Sequence, residues 1–200
     1  LVNWDTVLKT AVSDLEVDQR EVNSKLYHIK YPIENSNEFI TIATTRPETM
    51  LGDTAVAVNS NDNRYKKYVG KYIILPLVNR KIKIITDEYA DPKQGTGAVK
   101  ITPAHDFNDY EVGVRNKLEK INIFTENGKI NENAPKKYVG LDRFEARKKI
   151  LEDLSKNDLL TKEENIKNKV PYGDRSNSII EPFLTEQWFA DAKKLSLKAK

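Results

Sequence analysis

The sequence predicts a mixed α/β fold, and three observations lead to this prediction. Residues 26–33 and 98–102 alternate apolar and polar side chains with the two-residue period of a half-buried strand. Residues 141–154 carry the capping residues and spacing of a helix. A chain of 200 residues is also long enough to form one domain with its own hydrophobic core.

The composition limits the possible chemistry. The net charge of +3 does not by itself indicate a nucleic-acid-binding protein. Because the chain has no cysteine, it forms no disulfide and has no thiolate nucleophile, and with two histidines no metal site is expected. No apolar run reaches membrane length and no signal peptide opens the chain, so we expect a cytoplasmic protein that makes no membrane contact. The missing initial Met suggests an excised fragment.

In the first half of the chain, most of the predicted elements are strands. Asp5 is expected to cap a short helical segment within residues 1–12. The predicted strands are residues 15–22, 26–33, 38–44, 54–58, 72–77 and 82–86. Asn23 and Ser24 are predicted to turn the first pair into a hairpin, and His28 is expected to be an exposed or cross-strand residue.

Residues 44–53 predict a brief helical elbow after the third strand. Pro47 stands at the first helical turn and Gly52 ends it. Such an elbow exposes backbone N–H groups and threonine hydroxyls, which suits an anionic or hydroxyl-rich ligand. The alternative is that the two threonines only end a strand and that Glu48 caps the turn.

A second polar segment follows at residues 95–113. The alternation of its strand places Lys100 and Thr102 on one face, and Pro103 ends the strand. Asp106 is predicted to cap the next helix, with Asp109 three residues later. An ammonium, a hydroxyl and two carboxylates would then share one pocket, although an Asp at this position is usually only a cap and Lys beside Asp is usually a solvated ion pair.

Two helix faces are predicted from apolar spacing. The helix after Asp106 is expected to bury Phe107, Tyr110, Val114 and Leu118. The helix at residues 141–154 is expected to begin after Asp142, with Glu145 at its third position. Its predicted apolar side carries Phe144, Leu151 and Leu154. Residues 170–189 are expected to form an extended arm outside the core.

The order of these segments carries a family resemblance. Residues 44–49 read Thr-Thr-Arg-Pro-Glu-Thr, and residues 95–113 read from Gly-Thr-Gly to Glu-Val-Gly. With residues 3–5, 13–17, 75–80, 141–147 and 170–189, they make the chain closely similar to the editing domain inserted in bacterial-type valyl-tRNA synthetases. The valyl assignment depends mostly on Lys100 and Thr102, because leucyl relatives carry apolar residues there.

The resemblance implies a fold and an activity. It implies a compact β-barrel-like α/β domain at residues 15–165, with short helices around it. Linker arms at residues 1–14 and 166–200 would connect it to the parent synthetase. The implied reaction is hydrolysis of threonine misattached to valine tRNA. The nucleophile is expected to be a positioned water, because no Ser-His-Asp arrangement is found.

The resemblance also assigns the aminoacyl part of the site. Asp106 is assigned to the α-ammonium of the substrate. Thr49, Lys100 and Asp109 are assigned to the side-chain hydroxyl of threonine. Valine and threonine are nearly isosteric, so an apolar synthetic site rejects threonine weakly and a second, hydroxyl-binding site is needed.

The remaining assignments concern the tRNA end. Thr44, Thr45 and Arg46 are assigned to the terminal adenosine, and Thr102 is expected to shape the same pocket. His105 is expected to be structural. The ATP-binding signatures of the parent enzyme are absent, so ATP and Mg²⁺ are expected only in its catalytic domain, and no cofactor or metal is expected here.

The expected partners are the aminoacylated end of mischarged valine tRNA and the rest of the synthetase, in a monomer. Some valyl relatives carry a cysteine-bearing zinc knuckle, whereas residues 170–176 contain no cysteine. Two alternatives stay open: editing by a leucyl or isoleucyl enzyme, and a tRNA-docking module without activity.

Overall fold

The computed structural model describes residues 1–188 and 190–197, in which sheet predominates over helix. The strands are β1 (Val2–Asp5), β2 (Thr10–Val12), β3 (Val17–Pro32), β4 (Phe39–Thr44), β5 (Ala55–Val58), β6 (Tyr72–Ile74), β7 (Lys81–Thr86), β8 (Ala98–Ile101), β9 (Leu160–Gly173) and β10 (Glu181–Phe183). The α-helices are α1 (Phe107–Arg115), α2 (Arg143–Lys156) and α3 (Ala192–Ser196). Short 3₁₀ helices lie at Asp14–Glu16, Pro47–Gly52 and Lys66–Tyr68.

One sheet is mixed and four-stranded, in the order β6-β7-β5-β8. Strand β5 is buried throughout and lies between a parallel neighbour, β7, and an antiparallel one, β8. Its alternate residues pack into a larger and a smaller hydrophobic cluster, because successive side chains point to opposite faces. In β8, Ala98 packs into the larger cluster while Val99 and Ile101 pack with the smaller one, as the alternation predicted.

Strands β3 and β9 form a long antiparallel ribbon, which β4 extends into a three-stranded sheet. The predicted hairpin at Asn23 and Ser24 is wrong, since both residues lie inside the 16-residue strand β3. Strand β9 pairs with β3 from Val17 to Ile29, so the backbone has a partner without a turn. His28 lies 2.7 Å from Glu164 across the ribbon, which confirms the cross-strand prediction.

Strands β1 and β2, near the start of the chain, pair with β10 in a third sheet, ordered β10-β1-β2. Asp5 caps a turn rather than a helix: its Oδ1 accepts from the N–H groups of Val7 and Leu8 at 2.9 and 3.0 Å. The arm predicted at residues 170–189 is partly wrong, because β9 ends and β10 lies within it. Phe189 and residues 198–200 lie outside the described residues.

The predicted α/β character is confirmed, but the predicted barrel is not. Across residues 1–188 and 190–197 the strands form three sheets, and a single isolated bridge between Ile33 and Ile73 links the ribbon sheet to the four-stranded one, so no closed barrel is found. The division into linkers and an editing domain stays a prediction, and its boundary at residue 166 falls inside β9. In the part of the chain that the structure describes, no helix combines the length and apolarity needed to cross a membrane.

Helix α2 begins where the sequence predicted, with Asp142 accepting from the N–H of Phe144 at 2.8 Å. Its predicted face is partly wrong. The buried side carries Arg143, Ala146, Ile150 and Leu154. Phe144 is exposed, whereas Arg143, one position earlier, is buried and donates to the Thr6 hydroxyl and the Ile179 carbonyl.

Candidate functional site

Helix α1 brings the two predicted aspartates to one place. Asp106 is its N-cap, and its Oδ1 accepts from the N–H groups of Asn108 and Asp109 at 2.8 and 3.0 Å. The predicted apolar face is partly wrong. Phe107 and Val114 are exposed and the helix buries Asp109, Val112 and Gly113 instead, whereas Leu118, beyond the helix end, does pack against the smaller hydrophobic cluster. A Cβ at Gly113 would lie 2.8 Å from the ring of Pro103, so the helix approaches the preceding loop on this side.

A buried polar cluster, formed by Tyr31, Asp53, Lys100 and Thr102, lies at the end of β8. Asp53 Oδ1 accepts from the Thr102 hydroxyl at 2.6 Å and from Lys100 Nζ at 3.3 Å. Asp53 Oδ2 accepts from the Tyr31 hydroxyl at 2.7 Å, and Lys100 also donates to Thr102 Oγ1. The prediction of Lys100 and Thr102 on one face is confirmed.

Sequence reasoning missed Tyr31 and Asp53. Tyr31 lies on the apolar face of β3, where its hydroxyl would need a buried partner. Asp53 directly follows the elbow and is fully buried. A buried carboxylate is expected to have a cationic or hydrogen-bonding partner. This requirement indicates a polar cluster around Asp53 but does not identify its other residues.

Asp109 connects this buried cluster to helix α1. Its Oδ2 accepts from the Thr102 N–H at 2.9 Å. Burial raises the pKa of Asp109 to about 7; the positive charge of Lys100 opposes this rise and the negative charge of Asp106 adds to it. Asp109 therefore changes its protonation state near neutral pH. Burial likewise raises the pKa of Asp53, against the opposing charge of Lys100.

The elbow is observed as the 3₁₀ helix Pro47–Gly52, and its hydroxyls bind its own backbone. Thr44 Oγ1 accepts from the Arg46 N–H at 3.0 Å, and the Thr49 hydroxyl donates to the Arg46 carbonyl at 2.9 Å. Glu48 does not cap the turn of the elbow, which was the alternative that the sequence allowed. It is fully buried and binds Arg147 through both oxygens at 2.7 Å.

Arg46 joins the elbow to two other elements. It donates to the His105 carbonyl at 3.1 Å and forms an ion pair with Glu181 of β10. Glu181 also lies 3.3 Å from Arg143 Nε. Sequence reasoning missed these partners; the only signal was the four-residue spacing of Arg143 and Arg147, which places both on one side of α2.

A cleft of about 620 Å³ opens between the elbow, the start of α1, helix α2 and the β3/β9 ribbon. Three predicted site residues line it: Thr45, Arg46 and Asp106. The other five, Thr44, Thr49, Lys100, Thr102 and Asp109, are buried in the adjacent elements. Phe107 and Phe144, 44% and 37% exposed, also line the cleft. The cleft also has Arg147, Asp14 and Glu181 in its lining, so it offers three carboxylates, two guanidinium groups and two aromatic rings.

His105 is buried next to Arg46, and its expected structural role stays a prediction. Its Nε2 accepts from the Ile123 N–H at 2.9 Å, and its ring meets Phe124 edge-on at 4.7 Å. Burial, together with the charges of Arg46 and Lys100, lowers the pKa of His105 well below its ordinary value. Among the described residues, no group of three or more His, Asp or Glu is arranged to hold a metal ion.

Comparison with known proteins gives a consistent family. A family model described as tRNA synthetases class I (I, L, M and V) matches residues 1–200. A valine--tRNA ligase of Pelagibacter ubique (strain HTCC1062) is 78% identical over 200 residues, which cover all of this chain and 23% of that protein. A valine--tRNA ligase of Legionella pneumophila (strain Paris) is 56% identical over 98% of this chain and 21% of its own length. The chain therefore spans less than a quarter of these relatives.

Two solved structures share the fold at low identity. The structure of GlLeuRS-CP1 matches with a TM-score of 0.56 and 13% identity, covering 70% of this chain and 99% of that one. The ternary complex of Agrobacterium radiobacter K84 agnB2 LeuRS-tRNA-LeuAMS matches with a TM-score of 0.55 and 17% identity. It covers 76% of this chain and 20% of the synthetase.

Proposed function

The chain belongs to the class I tRNA synthetases, and we propose that it is the editing domain of a valyl enzyme, hydrolysing threonine from misacylated valine tRNA. Valine--tRNA ligase relatives along the whole chain support the valyl assignment. The fold shared with GlLeuRS-CP1 supports an inserted domain of this type. Activation of the amino acid with ATP and Mg²⁺ would belong to the parent catalytic domain.

The observation that carries the proposal is the position of Asp106 in the cleft. Both hydrogen bonds that it accepts from described residues end on Oδ1, which leaves Oδ2 for a ligand. Asp106 would bind the α-ammonium of the aminoacyl group through a charge-assisted hydrogen bond.

The remaining lining of the cleft suits the terminal adenosine of a tRNA. Phe107 offers an exposed ring on which a base can stack, whereas the Arg143 and Arg147 guanidinium groups already lie over the Phe144 ring, 4.8 and 5.4 Å from its centroid. Arg46 and Thr45 add hydrogen-bond donors for the ribose and the phosphate. The Thr44 hydroxyl would act indirectly, since it fixes the backbone of Arg46.

Selection of threonine would come from the polar groups buried next to this cleft. Lys100, Asp109 and Thr49 are proposed to meet the side-chain hydroxyl of the substrate. Threonine would pair with these groups, whereas valine would leave them unpaired at a cost of about 1–3 kcal/mol each. A positioned water would attack the ester carbonyl, and the ribose hydroxyl of the tRNA would leave.

The test is Asp106→Ala in a full-length synthetase that contains this segment. Loss of a charged contact made in the transition state should slow deacylation of threonyl-tRNA for valine by about 30- to 1,000-fold, or roughly 2–4 kcal/mol. Aminoacylation with valine should stay unchanged, because the proposal places it in another domain. Asn108→Ala, on the same helix, is the matched control.

The same assay separates the alternatives. Faster removal of amino acids from isoleucine or leucine tRNA would indicate an isoleucyl or leucyl editing domain. Binding of tRNA without deacylation of any substrate would indicate a docking module. Full activity in a folded Asp106→Ala protein would contradict the proposed site.

A further inference from the structure

One charged residue of the buried polar cluster lies on the side of the cluster away from any substrate. Asp53 is completely buried, whereas the side chain of Lys100 retains 10% exposure. Lys100 therefore lies on the accessible side of the cluster and Asp53 on its inner side. The Asp53 carboxylate accepts hydrogen bonds from Lys100, Thr102 and Tyr31. It therefore connects β8, the residue directly after β8, and β3.

The hydrogen-bonding capacity of the cluster is nearly used up. The Thr102 hydroxyl donates its one proton to Asp53 and accepts from Lys100, so it has no donor left. The Lys100 ammonium has three N–H donors, of which Asp53 and Thr102 take two. Within the described residues, the third N–H has no hydrogen-bond acceptor.

We propose that Asp53 is a positioning residue that makes Lys100 a selective reader of a ligand hydroxyl. By taking one donor directly and one through Thr102, Asp53 leaves Lys100 a single N–H in a fixed direction. A side chain that carries an oxygen acceptor satisfies this donor, whereas an apolar side chain of the same shape leaves it unpaired. This inference rests on the proposed editing function and adds the origin of its selectivity.

Asp53→Asn in the full-length synthetase tests the inference. The asparagine keeps the shape but has no negative charge, and its amide oxygen holds the ammonium less firmly, so the ratio of threonine to valine deacylation should fall at least about tenfold. Tyr31→Phe removes one hydrogen bond and keeps the carboxylate, so the ratio should change less than about threefold. Asp62→Asn is the matched control, since Asp62 is also buried and paired, but with Arg64.

A double variant distinguishes positioning from a general structural effect. Asp53→Asn introduced into Lys100→Met should lower the ratio no further, because the residue through which Asp53 acts is gone. If Asp53→Asn alone does not fold, the deacylation ratio of the double variant is compared with that of Lys100→Met instead. The double variant is expected to fold because it leaves no buried charge unpaired. Failure of the double variant to fold while Lys100→Met folds would overturn the inference.

The remaining outcomes are also decisive. An unchanged ratio in folded Asp53→Asn, or a further fall in the double variant, would overturn the role of Asp53. Absence of threonine deacylation in the unmodified synthetase would instead overturn the proposed function, and the two failures are therefore distinguishable.

Discussion

Glu48 and Arg147 form a bidentate ion pair between the elbow and helix α2. Arg147 Nε donates to Glu48 Oε2 and Nη2 donates to Oε1, each at 2.7 Å, and Glu48 is fully buried. Burial alone would raise the pKa of Glu48, but the hydrogen bonds from Arg147 and the charges of Arg147 and Arg46 hold it below its ordinary value. This pair ties the elbow to α2, and Arg147 itself lines the cleft.

Glu48→Gln should therefore destabilise the fold strongly. The substitution leaves Arg147 without its counter-charge and should lower the free energy of unfolding by about 3–5 kcal/mol. Urea denaturation measures the change. Glu163→Gln breaks the solvent-exposed pair with Lys25 and should have little effect. Equal losses in the two variants would contradict a special role for Glu48.

Gly113→Ala should displace helix α1. An added methyl group would lie 2.8 Å from the rigid ring of Pro103, so the helix has to shift. The resulting strain should exceed the gain in helix propensity and lower stability by about 1–2 kcal/mol. Because Asp106 and Asp109 lie on this helix, deacylation should fall as well. Glu111→Ala, exposed on α1, should change neither quantity, and an unaffected Gly113→Ala would show that the contact relaxes freely.

Local patterns account for the parts of this site that the sequence predicted. The alternation of β8 and the cap at Asp106 depend on neighbouring residues, and both are observed. The partners that complete the site come from distant parts of the chain. Asp53 lies 47 positions from Lys100, and Glu181 lies 135 positions from Arg46. No spacing rule connects such pairs.

Tertiary contacts also explain the errors. Asn23 and Ser24 are typical turn residues, but strand β9, which lies far along the sequence, pairs with the backbone on both sides of them. The apolar spacing of α1 pointed to Phe107, whereas the contact of Gly113 with Pro103 turns the opposite side inward. Phe107 is left exposed in the cleft, where a ligand ring would cover it.

Asp109 should make stability depend on pH. Its folded-state pKa of about 7 exceeds the ordinary value of 3.8. Between these values the folded protein keeps a proton that the unfolded chain releases, so this contribution to stability is lost as pH rises from about 4 to about 7. Asp109→Asn cannot ionise. Its free energy of unfolding, relative to the unmodified protein, should therefore rise across that window.

Urea denaturation at four pH values, about one unit apart between about 4.5 and 7.5, would measure this difference. These values cover the range over which the linkage relation predicts a change in stability. Glu111→Gln, an exposed carboxylate on the same helix, is the control and should follow the unmodified protein. A pH-independent difference for Asp109→Asn would show that Asp109 ionises normally in the folded protein.

Removal of transition metals should leave editing unchanged. The chain has no cysteine, and its described residues include no cluster of three metal-binding side chains. Deacylation of threonyl-tRNA in the presence of ortho-phenanthroline, with Mg²⁺ kept for the tRNA, should match that with the non-chelating meta isomer. A rate lost to the chelator and restored by zinc would reveal a metal-dependent step.

Lys100→Met and Asp109→Leu should both reduce discrimination between threonine and valine. Lys100 reaches the site from β8 and Asp109 from α1, and both contact Thr102. Each substitution replaces a polar group with an apolar one of similar size. The favourable free energy of pairing with the threonine hydroxyl is then lost, and so is the unfavourable free energy of leaving a polar group unpaired beside valine. The measured quantity is the ratio of deacylation rates for one tRNA charged with either amino acid.

The pattern of rates identifies which step each residue serves. A lower ratio with the valine rate maintained or raised would support direct recognition of the hydroxyl by Lys100 and Asp109. Equal falls in both rates would instead mean that these residues hold the fold or bind the tRNA end. Discrimination would then lie elsewhere, and Thr49, whose hydroxyl donates to the Arg46 carbonyl, would be the next residue to replace, as Thr49→Val.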